Sequence, residues 1–185
     1  MKPTRFIALG LLAVSLLGCE GRTDRTDGGG VLLSISDFDG LPILLAVNSV
    51  DPTFSFLQIG EVQITNVVKN PDIVGSILMN VEIESYEVTY TRGDSGTIVP
   101  PIFVRGLFGV VPVSGVYTVE NLPVLAPEQF NVPPISDLLF ENGGFDKETG
   151  SRQIVLNFHL RFFGRTLSGD AVETAPASFT VTVTP

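Results

Sequence analysis

Apolar and polar side chains alternate along much of the chain after Val31. In QIVLNFHLRFFG, every second residue is apolar and the residues between are mostly polar. The apolar positions are Ile154, Leu156, Phe158, Leu160 and Phe162. The final residues, SFTVTVTP, repeat this pattern with threonines as the polar partners. A period of two is that of a half-buried β-strand, so residues 153–163 and 171–183 are predicted to form a core hairpin.

The longest extended run, 76–92, changes phase in its middle. Val81 and Ile83 occupy odd positions, whereas Tyr86, Val88 and Tyr90 occupy even positions. A β-bulge near Ser85 would restore the inward face, because a bulge inserts one extra residue into a strand. A strand that passes from one sheet to another at this point would do the same. The pattern leaves both explanations open.

Further extended runs are separated by Gly, Pro, Asn and Asp, which are typical of turns. They are VLLSIS and LPILLAV, then GEVQITNVV, IFVRGLFGVV and SGVYTVENLPV. In GEVQITNVV we expect Val62, Ile64 and Val67 on the buried side. Residues 126–140 are rich in proline and irregular, with one helical turn over 136–140.

No stretch of the chain after Val31 has the 3.6-residue period of an amphipathic helix. Eight or nine short strands with short connections predict an all-β domain over 31–185. We expect an antiparallel β-sandwich of immunoglobulin-like architecture, with an open barrel as the alternative. The comparison concerns architecture alone, because the Cys…Trp…Cys spacing of antibody domains is absent.

The charge of the chain narrows the range of partners. The formal net charge is −9, and loss of Lys2 and Arg5 with a signal peptide would make it two units more negative. Binding to nucleic acid needs a basic surface, so we expect no nucleic-acid partner. Electrostatic adsorption to anionic lipid is disfavoured for the same reason. Attachment to a membrane therefore requires a covalent or apolar anchor.

The N-terminal segment has the layout of a secretory signal. Lys2 and Arg5 precede an apolar run over 6–17, which is too short to cross a bilayer as a helix. The run ends in Leu16-Leu17-Gly18-Cys19, which resembles the lipobox of bacterial lipoprotein signal peptides. The resemblance implies that residues 1–18 are removed and that Cys19 carries the lipid, with palmitate among its acyl chains. Cys19 is the sole cysteine, so a disulfide within the chain is excluded.

Residues 19–30 are predicted to link the lipid to the domain. They contain no large apolar side chain after Cys19 and end in Gly28-Gly29-Gly30, a composition typical of flexible linkers. In lipoproteins of this type an Asp after the cysteine can retain the protein in the inner membrane. Glu20 stands there instead, so the resemblance favours an outer-membrane location in the bacterial cell envelope.

His159 is the one histidine and falls on the polar face of its predicted strand. No Gly-x-Ser-x-Gly motif supplies a nucleophile for it, and one histidine with a lipidated cysteine makes no zinc ligand set. We therefore expect a surface or cross-strand hydrogen-bonding role for His159. We predict that the protein is not an enzyme and has no required cofactor.

Calcium is the one metal for which the sequence offers ligands. Asp37-Phe38-Asp39-Gly40 places two carboxylates in a predicted turn, and Asp37 and Asp39 are the candidate ligands. Ordinary turn formation explains the same residues, because Asp and Gly both favour turns. Residues 141–148, with Asp146 and Glu148, are a weaker candidate and are expected to form a solvated loop.

Two further acidic motifs have ordinary explanations. Arg92-Gly93-Asp94 spells a cell-adhesion tripeptide and is predicted at an exposed hairpin tip, where three common turn residues also occur by chance. Glu82 and Glu84 share one face of a predicted strand, as paired carboxylates of glycosidases lie across a cleft. Without a cleft in the pattern, a solvated strand face is the expectation for them.

SYEVTYTRGDSGT and HLRFFGRTLSGDAVETA are similar to segments of uncharacterised bacterial envelope lipoproteins. That resemblance implies an envelope location and no particular reaction. The sequence therefore predicts a lipid-anchored, non-enzymatic structural or protein-binding module. A calcium- or ligand-binding surface module that uses loops at one end of the sandwich is the alternative.

Overall fold

The structure, a computed structural model, describes residues 28–49 and 56–185. Nine strands make up most of this part of the chain, with one short helix and several 3-10 turns. The strands are β1 (Val31–Asp39), β2 (Leu44–Ala46), β3 (Leu57–Val68), β4 (Val81–Arg92), β5 (Phe103–Val111), β6 (Gly115–Leu125), β7 (Ile154–Thr166), β8 (Ala171–Glu173) and β9 (Ala177–Thr184). Helix α1 spans Pro127–Phe130.

The strands form two sheets, as the sequence predicts for a sandwich. A three-stranded sheet has the order β1-β3-β6, and a six-stranded sheet has the order β2-β9-β7-β4-β5 with β8 beside β7. All pairings are antiparallel except that of β2 with β9. This arrangement matches strands A, B and E against G, F, C and C′ of the immunoglobulin fold. The sandwich is confirmed, and the barrel alternative is wrong because the sheets stay separate.

The core lies between the two sheets and is filled from alternate positions of each strand. In β7 the side chains of Ile154, Leu156, Phe158, Leu160 and Phe162 are all fully buried. Aromatic rings from neighbouring strands pack on them. The Tyr90 ring meets that of Phe158 edge-on at 4.9 Å, and Phe179 stacks on the other side of Phe158 at 5.0 Å. Burial of apolar surface on this scale is the main stabilising term for a disulfide-free domain.

The phase change in β4 is a β-bulge. Ile83 pairs with Gly164 of β7, and Ser85 pairs with Phe163, which leaves Glu84 as the extra residue. Both halves of β4 then point apolar side chains into the same core: Val81, Ile83, Tyr86, Val88 and Tyr90 are buried. The bulge explanation is confirmed, and passage of this strand between the two sheets is wrong.

Three local expectations differ from the structure. Val67 is exposed, and Asn66 is fully buried in its place, because strict alternation in β3 continues from Ile64 to position 66. Strand β1 extends through Asp39, so the predicted turn begins later, at Gly40. The helical turn near 136–140 is two 3-10 turns, Ile135–Leu138 and Phe140–Asn142.

The two ends of the sandwich differ in their connections. At one end, here called the N-terminal end, lie Gly28–Gly30, the 69–80 connection, the 112–114 turn and the 167–170 turn. The Lys69 N–H donates to the Gly30 carbonyl at 3.0 Å, and the Leu167 N–H donates to the Asn80 carbonyl at 2.9 Å. The opposite end carries the last residue of β4, the first of β7 and the 126–153 connection. In the described ranges, no helix has the length and apolarity needed to cross a membrane.

Candidate interaction site

One long side of the sandwich is open, because each sheet has an edge strand on that side. β5 is the last strand of the six-stranded sheet and β6 is the last strand of the three-stranded sheet. Within residues 28–49 and 56–185, no further strand pairs with the outer edge of β5 or of β6. Unpaired edge strands present N–H and C=O groups that can bind an added strand.

A cleft of about 420 Å³ opens between these two edges. Arg105 of β5 reaches into it, and its guanidinium carbon lies 5.5 Å from the centre of the Phe56 ring. A cation over an aromatic face is an attractive contact. The rest of the wall is mixed, from Tyr86, Leu107 and Val119 to Glu120 and Pro123. The cleft therefore combines one cation, one carboxylate and apolar surface.

Tyr86 forms the floor of the cleft and ties the two sheets together. Its hydroxyl donates a 2.7 Å hydrogen bond to the Pro123 carbonyl of β6. Burial raises the pKa of Tyr86 to about 12, and the positive charge of Arg105 opposes part of that rise. The hydroxyl therefore stays protonated at physiological pH and remains a hydrogen-bond donor.

The rim of the cleft has an unusual backbone at Asn121. This residue adopts φ 52°, the left-handed region, in the middle of β6. Asn enters that region at lower cost than other non-glycine residues, because its short amide can bond locally. Across the sheet, Gly60 donates its N–H to the Gly40 carbonyl at 3.1 Å. A Cβ at Gly60 would lie 3.2 Å from the Asp39 carbonyl oxygen, so glycine suits this close approach.

The outer surface of β5 is apolar although it faces solvent. Phe108 is 88% exposed and Val104 is 62% exposed. Val110 continues the row, while Phe103, Leu107 and Val111 at odd positions of the strand pack in or against the core. An apolar edge strand beside a cleft is the arrangement by which proteins accept an extended peptide as an extra strand. These residues form the candidate interaction site.

Acidic side chains continue from the cleft across the outer face of the three-stranded sheet. Asp39 pairs with Glu61, and Glu61 pairs with Glu120, so three carboxylate residues stand in one cross-strand row. Like charges directly opposite each other destabilise a sheet. Gln63 donates to Glu61 Oε1 at 2.9 Å and partly offsets this repulsion.

The structure places the calcium candidates on β1. Asp37 Oδ1 accepts from the Phe38 N–H at 2.9 Å, and Asp39 Oδ1 accepts from the Gly40 N–H at 2.7 Å. Among the described residues, no group of three or more His, Cys, Asp or Glu side chains has an arrangement that could hold a metal ion. Asp37 and Asp39 are therefore not brought together with a third ligand.

In the Arg92-Gly93-Asp94 tripeptide the arginine side chain is buried in an ion-pair network at the opposite end, whereas Gly93 is exposed and the Asp94 side chain is 24% exposed. Arg92 Nε lies 2.7 Å from Asp94 Oδ1, and Arg92 Nη2 lies 2.8 Å from Asp146 Oδ2. The Arg92 side chain is 2% exposed. The expectation of an exposed hairpin tip is wrong for Arg92, because its side chain turns inward and pairs with the buried carboxylate of Asp146. It cannot bind an adhesion receptor in this position.

Asp146 and Glu148 belong to the same network. The prediction of a solvated loop is wrong for Asp146, which is buried, whereas Glu148 is exposed as expected. Burial alone would raise the pKa of Asp146 and of Asp94. Hydrogen bonds from Arg92 and neighbouring N–H or hydroxyl groups outweigh burial and hold both pKa values below the ordinary value. Glu148 accepts hydrogen bonds from the N–H groups of Thr97 and Ile98, which lower its pKa too.

His159 has the cross-strand role that the sequence predicts. Its Nδ1 lies 2.7 Å from Ser178 Oγ, and its Nε2 lies 2.9 Å from Thr91 Oγ1. A catalytic serine–histidine pair uses a carboxylate on the second ring nitrogen, and a hydroxyl stands there instead. Both hydroxyls lie on neighbouring strands of the six-stranded sheet, so the histidine bridges three strands on an exposed face.

Glu82 and Glu84 are exposed on β4, as expected for a solvated strand face. Glu84 forms a surface ion pair with Arg165 at 3.5 Å, and both side chains are about half exposed. Such pairs contribute little to stability. Neither glutamate lines the cleft.

Cys19, Glu20 and the signal peptide over 1–18 lie outside the described residues. No protein-family model matches the chain, and no curated protein matches its sequence. The site on β5 and β6 was missed by sequence reasoning. Arg105, a lone charge within IFVRGLFGVV, was the available signal, since a cation inside an apolar strand has to be exposed or paired.

Proposed function

We propose that this protein is a lipid-anchored, non-enzymatic module of the bacterial cell envelope that binds a protein partner at the open edge of β5. The lipobox-like ending at Cys19 supports the anchor. The observation that carries the binding function is the exposed apolar edge strand beside the Arg105 cleft. An extended partner segment would add to β5 through main-chain hydrogen bonds and place side chains in the cleft.

The chemistry of the site favours a particular kind of segment. An apolar side chain fits over Phe108 and Val104, and a carboxylate fits beside the Arg105 guanidinium. Main-chain pairing supplies affinity and the cleft supplies selectivity, as in other strand-addition complexes. We therefore propose an extended peptide with alternating apolar residues and one acidic side chain.

The anchor is tested by substitution of the thiol. Cells grown with labelled palmitate should yield labelled wild-type protein in the membrane fraction. Cys19→Ser should lose the label and leave the membrane, because oxygen at this position does not receive the diacylglycerol. Retention of the serine variant on membranes would refute the lipid anchor.

The binding edge is tested by photo-crosslinking in intact cells. A photoreactive residue at position 108 should capture a defined envelope protein, and Arg105→Glu should abolish this crosslink. Arg152→Glu is the matched control, because it makes the same charge change at an exposed position that does not line the cleft. Equal crosslinking in both charge variants would show that the cleft does not select the partner.

A further inference from the structure

The N-terminal end of the sandwich carries a second cluster of exposed apolar side chains. It lies in the 69–80 connection between β3 and β4. Val74 is 96% exposed and Ile77 is 71% exposed. Leu78 and Ile73 extend the cluster, and Leu167 adds to it from the 167–170 turn. We call Ile73, Val74, Ile77 and Leu78 the apolar tip.

The apolar tip is held in place by hydrogen bonds at its base. The Ser168 N–H donates to the Leu78 carbonyl at 3.1 Å, and the Val113 N–H donates to Asn80 Oδ1 at 2.9 Å. The buried Asn66 side chain lies below this segment, and its Nδ2 donates a hydrogen bond to the Met79 carbonyl at 2.8 Å. Two neighbouring turns and strand β3 thus fix the segment that presents the tip. An exposed apolar segment that is already ordered loses little entropy when it binds.

The described chain begins at the same end. Gly30 accepts the N–H of Lys69, the first residue of the 69–80 connection, and a Cβ at Gly30 would lie 3.6 Å from the Met79 side chain. The linker predicted from the sequence therefore enters the domain beside the apolar tip. From Cys19 to Gly28 the chain reaches at most about 32 Å when fully extended. A lipid on Cys19 would hold this end of the sandwich close to the bilayer.

The charge of the protein favours a lipid surface without net negative charge. Lys69 and Asp72 leave the 69–80 connection with no net charge, and the whole chain has a net charge of −9. An anionic surface would repel it, so contact with lipid must come from apolar side chains. Isoleucine, leucine and valine side chains contribute this way when they enter the acyl boundary below the head groups.

We infer that the apolar tip inserts into the bilayer interface and holds the sandwich upright on its N-terminal end. This inference rests on the lipid anchor of the proposed function. Tethering makes the docking intramolecular, with an effective concentration on the order of millimolar for a short linker. A few apolar side chains then suffice for stable contact. In this orientation the long axis of β5 stands away from the membrane, and its edge stays accessible to a partner.

The test uses the full acylated chain reconstituted in vesicles of phosphatidylcholine and phosphatidylethanolamine. An environment-sensitive fluorophore is attached to Val74→Cys, while the acylated Cys19 thiol cannot react. Phe140→Cys is the matched control, because Phe140 is a 72% exposed apolar residue at the opposite end. Spin labels on the lipid acyl chains should quench the probe at position 74 and leave the probe at position 140 unquenched.

A second variant tests whether the apolar tip causes the docking. Ile77→Asp in the Val74→Cys background should weaken docking by on the order of tenfold, with a matching loss of quenching. Anionic lipid added to the vesicles should not increase quenching. Equal exposure of both probes to water in acylated, vesicle-bound protein would overturn the inference and leave the anchor intact. Absence of acyl mass on Cys19 would overturn the anchor and the inference together.

Discussion

Arg92, the last residue of β4, and Asp146, in the 126–153 connection, form a buried ion pair in which Nη2 and Oδ2 are 2.8 Å apart. Their side chains are 2% and 1% exposed. The guanidinium also meets Asp94 at 2.7 Å and donates to the Ile98 carbonyl at 3.2 Å. Through these contacts Arg92 holds the 93–102 connection against the 126–153 connection. The two connections together cover the opposite end of the sandwich.

Arg92→Ala should be strongly destabilising. Removing one member of a buried ion pair leaves an uncompensated charge, which costs about 3–5 kcal/mol. Unfolding in urea, followed by tyrosine fluorescence or by circular dichroism, measures the free energy of unfolding. Arg165→Ala is the control, because its pair with Glu84 is half exposed and worth at most about 1 kcal/mol. Equal losses in both variants would contradict a special role for the buried network.

The same network predicts a loss of stability in acid. Asp94, Asp146 and Glu148 have pKa values below their ordinary values of 3.8 for Asp and 4.5 for Glu. The unfolded chain therefore binds more protons than the folded chain once the pH falls into this range. The stability from these groups is fully present above their ordinary pKa values, and is lost as the pH falls through the lower folded values. Unfolding free energies measured between pH 7 and pH 3 should decline below about pH 5.

Comparison with a network variant tests the cause of that decline. Arg92→Ala removes the main partner of Asp94 and Asp146, so its stability should depend less on pH over the same range. An unchanged pH slope in Arg92→Ala would assign the acid sensitivity to other carboxylates.

Gly164→Ala should destabilise the β4 bulge. Gly164 is buried opposite Ile83, and a Cβ there would overlap the backbone carbonyl of Glu82. Backbone on both strands would have to shift, which typically costs about 1–3 kcal/mol. Gly106→Ala is the control, because its Cβ would meet its nearest neighbour, the Glu84 carbonyl oxygen, at 3.9 Å. Thermal unfolding should show a lower melting temperature for Gly164→Ala alone.

Glu61→Lys should stabilise the three-stranded sheet. Glu61 stands between Asp39 and Glu120 in the acidic row, and lysine would replace two repulsive cross-strand pairs with attractive ones. Each such pair is worth about 0.2–1 kcal/mol. Added salt should raise the stability of the wild type more than that of the variant, since salt screens the repulsion. A lower unfolding midpoint in Glu61→Lys would show that the row has a favourable role, such as cation binding.

Strand positions followed closely from the sequence because each strand is half buried. The two-residue period of β7 and β9 appears in the sequence as apolar alternation and in the structure as burial. The change of phase in β4 was visible for the same reason, since one slipped residue reverses the phase of the apolar side chains. That it is a bulge and not a passage between sheets was decided by the pairing of β4 with β7. Position 66 was not, because a buried Asn is polar in the sequence. Its burial depends on carbonyls of Met79 and Val111 that only the fold brings near.

The candidate site depended on contacts between distant strands. Arg105 and Phe56 are separated by two strands in the chain, and the cleft between them exists because β5 and β6 end different sheets. Likewise, the sequence predicts Asp146 in a solvated loop, and only the fold brings the Arg92 guanidinium within 2.8 Å of its carboxylate. No local pattern encodes such pairings.

By itself, the sequence determined most strands, their inward faces and the change of phase near Ser85, because burial imposes a period that local residue order records. It also supplied the lipobox resemblance at Cys19. Tertiary structure alone decided which edges stay open, which charges are buried and which apolar side chains remain at the N-terminal end. Those features depend on the packing of the two sheets, and packing joins residues that are far apart in the chain.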